Sequence, residues 1–306
     1  MSAVFWQAVI GLATAVAAIT AVVISSRSLA ANNEQFEAQQ QRQQQQQASE
    51  RFSRAVDQLS SDKLENRVGA MYSLEQLGLD SRTHQPTVLK VITSYVRVHV
   101  PNGAGACSVR PVDPRSAIDP RFHSDEPTPM PSSFSAGSLV PKDIDTAIAV
   151  LSGPLAGDLA TRVGKHQLLD LSGICLTWLY RPGGDLAGAS FLFADLTAAM
   201  FAGVDLTLAG FDTADLTDAV FLSSNLDRAT LKYVDADHAD FSNARLTGAN
   251  LTGADLTQAR LTGADLARAD LTGTILTGAD LTGANLADVI YNESTIWPTG
   301  FEPPRR

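Results

Sequence analysis

The sequence is poor in three features, and each shortage excludes a class of protein. It has two cysteines in 306 residues, too few for a disulfide-rich secreted module. Its formal net charge is −10, the wrong sign for a domain that binds DNA by attraction to phosphate. It has a single long uncharged run, which excludes a transporter with several membrane spans.

The sequence also lacks the residue spacings of common catalytic and metal sites. Its five histidines are scattered without metal-ligand spacing. It has no glycine-rich phosphate loop after a strand and no nucleophile elbow. A pair between Cys175 and His166 is conceivable, but Cys175 lies in phase with the repeat described below and is interpreted as structural. We therefore assign no catalytic, cofactor-binding or metal-binding residue, and we predict a protein that is not an enzyme and needs no cofactor.

One stretch near the N-terminus lacks charge altogether. Residues 3–24 contain no charged side chain, and about 20 apolar residues are enough to span a bilayer as a helix. A cleaved signal peptide would instead have a basic segment before a shorter apolar core. We predict a single-pass transmembrane anchor at 1–26. Arg27 and Arg42 on its C-terminal side favour a cell-membrane protein whose C-terminal part is cytoplasmic.

The segments after this stretch are distinguished by composition. No glycine or proline occurs in 12–68, and 39–47 is glutamine except for Arg42. Residues 27–50 are therefore interpreted either as a helical stalk or as a disordered polar linker. Apolar residues at helical spacing predict a small helical segment at 51–100. Residues 101–141 contain eight of the 14 prolines and are interpreted as an extended linker.

An internal repeat of five residues occupies the C-terminal part of the chain. At every fifth position from Leu186 to Tyr291, 22 positions in all, leucine occurs 15 times and phenylalanine five times. Two residues before each of these centres, alanine occurs 16 times. A period of five fits neither a helix nor a strand. One large and one small position per pentad predict a solenoid whose chain turns a corner at every repeat.

The consensus Ala-Asp-Leu-Thr-Gly, as at 279–283, resembles the pentapeptide-repeat family over 169–296. This resemblance implies a mainly β fold, a right-handed quadrilateral parallel β-helix with four pentads per coil. Segments 51–79, 144–151 and 295–303 resemble actinobacterial membrane-anchored members of the family, whose function is unassigned. Because a solenoid needs capped ends, we expect 142–168 to form an N-terminal cap and 297–306 to form a C-terminal cap and tail.

Four pentads per coil would stack residues that are 20 positions apart. This spacing predicts two aromatic core ladders on opposite faces, formed by Phe191 and Phe211 and by Phe201, Phe221 and Phe241. The residue before each centre is expected to point outward. One face then carries a candidate interaction surface made of Asp195, Asp215, Asp235 and Asp255. The simpler interpretation of this surface is a solvated acidic wall that keeps the solenoid soluble.

The charge of the repeat region indicates how it would meet a partner. Residues 184–293 carry a net charge of −11, so they present a negative rod. We predict a non-enzymatic, membrane-tethered scaffold that binds an unidentified protein partner and does not bind nucleic acid directly. The alternative is regulation of a DNA-binding enzyme by DNA mimicry, because the resemblance includes family members that inhibit topoisomerases. The sequence does not indicate an oligomeric state.

Overall fold

The computed structural model describes residues 3–100, 140–155 and 169–304. Nearly all of the predicted linker at 101–141 and residues 156–168 of the predicted N-terminal cap lie outside these ranges, as do Cys107 and His166. The chain divides into two units, Met1–Arg54 and Ala55–Arg306. The segment boundaries given above remain predictions.

Four α-helices lie within the described residues. They are α1 (Ala3–Leu59), α2 (Leu64–Asp80), α3 (Gln85–His99) and α4 (Lys142–Leu151). At 1.5 Å per residue, the 57 residues of α1 extend over about 85 Å. Its length follows from the absence of glycine and proline in 12–68, because no residue there breaks the helix. Residues 27–50 are accordingly helical.

The structure corrects the prediction of a membrane anchor. Among the residues that the structure describes, no helix is long and apolar enough to cross a bilayer. This finding contradicts the transmembrane anchor predicted at 1–26 and the cell-membrane localisation that depended on it. Residues 3–24 do not form a separate hydrophobic helix, because α1 continues without interruption into the polar, glutamine-rich residues that follow.

A buried carboxylate connects the three shorter helices. Asp143 of α4 accepts hydrogen bonds from the Arg67 Nε of α2 (2.8 Å) and the Tyr95 hydroxyl of α3 (2.7 Å). Burial by itself would raise the pKa of Asp143, but the bonds from Tyr95 and Arg67 lower it. Burial, together with the bond to Asp143, raises the pKa of Tyr95 to about 12. The ionised carboxylate therefore holds α2, α3 and α4 together at one point.

The helical cluster of α2, α3 and α4 meets the N-terminal end of the solenoid. The carbonyl oxygen of Ser152, just after α4, accepts a hydrogen bond from the backbone N–H of Asp185 (2.8 Å). Gly184 has a φ of +104°, and a Cβ at this position would lie 2.8 Å from the same carbonyl oxygen, so the junction requires glycine. Arg97 of α3 also pairs with Asp170 in the first coil. Cys175, in that coil, is disulfide-bonded.

The repeat folds into coils of four pentads. One residue of each pentad forms an isolated parallel bridge with the residue 20 positions later, from Asp170–Ser190 to Asp270–Ile290. Backbone hydrogen bonds accompany each bridge. The Leu196 N–H donates to the carbonyl oxygen of Asp215 (2.8 Å), and the Asp215 N–H donates to the carbonyl oxygen of Ala194 (2.9 Å). Within the described pentads no strand is longer than a single bridge, because the chain turns after every bridge. The predicted mainly β class is therefore confirmed only in part, since single bridges replace strands and the N-terminal part is helical.

A tight turn separates successive bridges. The N–H of Ala199 donates to the carbonyl oxygen of Leu196 (2.9 Å), and the residue before Ala199, Ala198, has a φ of +55°. Glycine adopts this conformation at little cost, which explains the consensus glycine. Fourteen described residues other than glycine adopt it, Ala198 and Phe193 among them, at about 1–2 kcal/mol each. Packing and hydrogen bonding between coils must outweigh this strain.

The five repeat phenylalanines form two stacks inside the solenoid. Ring centroids are 5.0 Å apart for Phe191–Phe211, 5.4 Å for Phe201–Phe221 and 4.9 Å for Phe221–Phe241, with interplanar angles of at most 16°. The two stacks meet edge to face, as in Phe211–Phe221, with centroids 5.7 Å apart. All five side chains are fully buried. Both geometries are favourable for aromatic pairs.

Truncation of a ring inside these stacks should destabilise the solenoid. We expect Phe221→Ala to lower the free energy of unfolding by about 3–5 kcal/mol, because it leaves a cavity between two stacked neighbours. Phe193→Ala is the matched control, because Phe193 is 67% exposed, and it should change stability by less than about 0.5 kcal/mol. Urea unfolding followed by circular dichroism measures both values. Equal losses for the two variants would contradict the core position of Phe221.

Candidate interaction face

One face of the solenoid carries an unbroken row of carboxylates. Asp195, Asp215, Asp235 and Asp255 are bridged to one another in succession, between Cys175 and Ile275. We call these four residues the acidic face. Neighbouring bridge partners lie about 4.8 Å apart. Four like charges therefore follow one another with no neutral or basic residue between them.

The other three rows of outward residues interrupt their charges with neutral or basic residues, and their longest run of carboxylates is the pair Asp185–Asp205. One row consists of Asp185, Asp205, Asn225, Arg245, Asp265 and Asn285. In this row Asn225 Nδ2 donates to Asp205 Oδ1 (3.1 Å), and Asn285 Nδ2 donates to Asp265 Oδ1 (2.8 Å). A second row begins with apolar residues and then places Arg260 Nε 3.9 Å from Asp240 Oδ2. The third row is uncharged from 190 to 250. The acidic face is thus distinguished by its arrangement and not only by its charge.

Each carboxylate of the acidic face also closes its own turn. Asp195 Oδ1 accepts bonds from the Thr197 N–H (3.1 Å) and hydroxyl (2.7 Å), and Thr257 donates in the same way to Asp255. Asp215 and Asp235 accept from the backbone N–H two residues later, at 3.0 and 3.3 Å. Such side-chain bonds are typical of aspartate in turns. They explain why threonine follows two residues after aspartate in the consensus.

The middle of the acidic face shows the cost of stacking like charges. Burial raises the pKa of Asp235, and the nearby carboxylates of Asp215, Asp255 and Asp237 raise it further. Asp280 on another face shows the opposite effect, because hydrogen bonds from Thr282 and Thr262 lower its pKa. The ionised form of Asp235 is therefore disfavoured in the folded protein, whereas that of Asp280 is favoured.

Two exposed aromatic side chains border the acidic face. Phe193 and Tyr233 occupy the turn position two residues before Asp195 and Asp235, and they are 67% and 64% exposed. The Tyr233 ring lies across Gly253 of the next coil, where an added Cβ would be 2.5 Å from the ring. Sequence analysis missed this pair. Its signal was a bulky residue at the position where the consensus has glycine.

The predicted site residues thus fall into two groups. The four aspartates lie together at the surface, whereas the five phenylalanines of the predicted ladders lie inside and are inaccessible to a partner. Over the described ranges, no group of three or more histidine, cysteine, aspartate or glutamate side chains is placed to hold a metal ion.

Parallel bridges every 20 residues, one large buried side chain per pentad and a turn at positive φ define a quadrilateral solenoid repeat protein. The family described as Pentapeptide repeats matches residues 209–248, 224–263 and 249–288, with eight copies of the repeat. The chain belongs to the pentapeptide-repeat family.

Several solved structures are similar to the repeat region. The pentapeptide repeat protein alr5209 from Nostoc PCC 7120 is 35% identical, with 30% of this chain and 77% of that chain covered and a TM-score of 0.30. AT2G44920 from the Arabidopsis thaliana thylakoid lumen is 35% identical, with coverages of 30% and 67% and a TM-score of 0.27. QnrB1, a plasmid-mediated fluoroquinolone resistance protein, is 23% identical, with coverages of 40% and 61% and a TM-score of 0.36.

The match covers less than two thirds of the length of two of the similar structures. The chain spans 61% of the length of QnrB1 and 63% of the length of Rfr23, a pentapeptide repeat protein from the cyanobacterium Cyanothece 51142. No curated protein sequence matches the chain.

Neutralising the middle carboxylate of the acidic face should stabilise the fold at neutral pH. The folded-state pKa of Asp235 is raised, so its unfavourable contribution is absent in acid and appears as pH rises through that pKa. Asp235→Asn keeps an oxygen for the turn bond, and we expect it to raise the melting temperature at pH 7 but not near pH 3. Added salt should reduce the gain, because it screens exposed charges.

Asp280→Asn is the control of opposite sign. Its lowered pKa means that its ionised form stabilises the fold above the unfolded-state pKa and that this contribution is lost in acid. The variant should therefore lower the melting temperature at pH 7. A gain for both variants, or for neither, would contradict the assignment of repulsion to the acidic face.

Proposed function

We propose that this chain is a non-enzymatic interaction scaffold whose acidic face binds a basic surface of a protein partner. The observation that carries the proposal is the unbroken row Asp195–Asp215–Asp235–Asp255, in a solenoid whose other rows place at most two carboxylates in succession. Pentapeptide-repeat proteins generally act as structural or interaction proteins. We also infer that the coil is right-handed, because pentapeptide-repeat proteins fold as right-handed quadrilateral β-helices.

Electrostatics favours a partner rich in arginine or lysine. Parallel coils hold the carboxylates in a straight row, and like charges on a low-dielectric wall strengthen the potential in front of it. Burial is the main cause of the raised pKa of Asp235, and a basic partner would relieve the additional repulsion from Asp215, Asp255 and Asp237. Complementary charge of this kind mainly accelerates association and determines orientation.

The aromatic border supplies a second kind of contact. Phe193 and Tyr233 flank the row and present exposed rings. A guanidinium or ammonium group over such a ring gains about 0.5–1 kcal/mol at an exposed site. Rings beside carboxylates favour arginine, whose planar group can stack on the ring while it donates to an oxygen.

The binding surface is tested by capture with two matched variants of the full-length chain. One changes all four residues of the acidic face to asparagine. The other changes Asp205, Asp240, Asp265 and Asp280 to asparagine, which alters the net charge equally on other faces. We expect a protein that binds the wild type and the control variant to be lost from the acidic-face variant, and its purified complex to weaken with salt. If both variants lose the partner equally, binding depends on net charge alone. If both variants retain it equally, the acidic face is not the binding surface.

Regulation of a DNA-binding enzyme by DNA mimicry is the second candidate. It is favoured by the same row of carboxylates in a region of net charge −11. The enzyme's DNA-binding channel would then be the basic surface, and a topoisomerase is the class to test. This candidate differs from the first because binding should compete with DNA.

Inhibition of supercoiling separates the two candidates. Under DNA mimicry, the wild-type chain should inhibit a purified DNA gyrase, and added duplex DNA should relieve the inhibition. The acidic-face variant should lose this inhibition, and the control variant should keep it. Undiminished gyrase activity at a large excess of the wild-type chain would contradict this candidate and leave the scaffold proposal standing.

A further inference from the structure

The helix α1 has far more exposed surface than a single helix in water normally tolerates. Every side chain described between 24 and 51 is exposed, apart from the half-buried Ala38 and Ala48. Long helices in proteins are held mainly by packing of one face, because helix propensity contributes little by itself. The same segment includes the glutamine tract 39–47. We therefore expect another helix to pack along this exposed part of α1.

An uncharged strip runs along this helix. Val22, Leu29 and Phe36 are spaced seven residues apart and are 68%, 64% and 62% exposed. Gln43 continues this row, and Ser26, Asn33, Gln40 and Gln47 form a second row four residues after the first, so the two rows alternate at steps of four and three. This is the spacing of the contact positions of a coiled coil. The strip covers residues 22–47 and contains no charge, whereas Arg27, Glu34, Glu37 and Arg42 lie off it.

The chemistry of the strip identifies a second copy of the chain as the occupant. A side-chain amide carries both donors and acceptors, so asparagine opposite asparagine, or glutamine opposite glutamine, satisfies itself. A strip of amides and apolar groups is therefore complementary to its own copy in parallel register. A single asparagine at such a position is known to specify register and the number of strands.

The flanking charges are compatible with this arrangement. In a parallel pair, positions beside the strip face each other with an offset of five residues. This offset places Asn32 opposite Glu37 and Gln46 opposite Arg51 of the other copy, so no like charges meet. Glu50 is already paired with Arg54 of its own helix at 3.8 Å.

We propose that two copies of this chain associate through a parallel, in-register coiled coil formed by residues 22–47 of α1. The inference is independent of the proposed function, because it uses neither the solenoid nor the acidic face. Two-stranded pairing buries the exposed apolar row and pairs the amides. It would also present two acidic faces on one particle, which raises the effective affinity for a partner with two binding sites.

The association state of the full-length chain tests the proposal. Sedimentation equilibrium should give twice the 32.4 kDa of one chain. Leu29→Glu combined with Phe36→Glu should raise the dissociation constant about a hundredfold or more, because four apolar side chains lose their burial and charges meet across the pair. Ala31→Glu combined with Ala38→Glu adds the same charge on the opposite side of the helix and should leave the dimer intact. A single chain at every concentration, three or more chains, or equal effects of the two double variants would overturn the proposal.

Cross-linking tests the direction of the pair. Asn33→Cys and Val22→Cys should each form a disulfide between two chains under mild oxidation, because parallel register places each residue opposite its own copy. Ala31→Cys lies away from the strip and should cross-link far more slowly. An antiparallel pair can bring only one of the two strip positions opposite itself, so cross-linking at just one of them would overturn the parallel arrangement. Circular dichroism melting of each variant confirms that the solenoid is intact.

Discussion

The backbone hydrogen bonds between a residue and the one 20 positions later are the constraint on which the rest of the solenoid depends. They recur from Asp170–Ser190 to Asp270–Ile290 without a change of register. Each coil must therefore place the same number of residues at each corner, and an inserted residue would displace every side chain after it. Among the described bridges one extra residue occurs, in Ile275–Ile296, which is the last of them along the chain.

Because equivalent positions lie one above another, a side chain that recurs at the same position of successive coils forms a continuous row. Phenylalanine at the centre becomes a stack, as in Phe201, Phe221 and Phe241, and gains from the repetition. Aspartate at the outward position becomes a row of like charges, and the neighbouring carboxylates add to the effect of burial in raising the pKa of Asp235. Elsewhere Asn225, Arg260 and Asn285 stand next to aspartate and interrupt the rows, although Asp185 and Asp205 are direct neighbours.

Features encoded within one repeat could be predicted from the sequence, whereas features that join distant segments could not. The period of five, with one large and one small position per pentad, predicted a solenoid, because each pentad contacts only its neighbours. The resemblance to the family implied four pentads per coil, and the bridges between residues 20 positions apart agree with it. The Arg67–Asp143 bond joins residues 76 positions apart, and the Ser152–Asp185 junction needs a particular glycine. Neither has a repeating pattern to reveal it.

Local sequence was an insufficient guide at two places, for physical reasons. The anchor prediction considered the apolar stretch 3–24 in isolation, whereas the helix continues through the polar residues to Leu59. The consensus has glycine at the turn position, whereas Phe193 and Tyr233 stand there and adopt the same positive φ. Coil-to-coil packing overrides the local preference at these positions, and it leaves two rings exposed beside the acidic face.

The acidic face is not explained by the needs of the fold. Its aspartates close turns, but asparagine does the same elsewhere in this chain: Asn250 Oδ1 accepts from the Thr252 N–H (3.0 Å), and Asn285 Oδ1 accepts from the Ala287 N–H (3.1 Å). Solubility needs net charge, but it does not need the charges in one row, and dispersed charges avoid the repulsion felt by Asp235. A row that costs stability and serves neither turn closure nor solubility is typical of a functional surface. A partner of opposite charge would turn the same repulsion into binding energy.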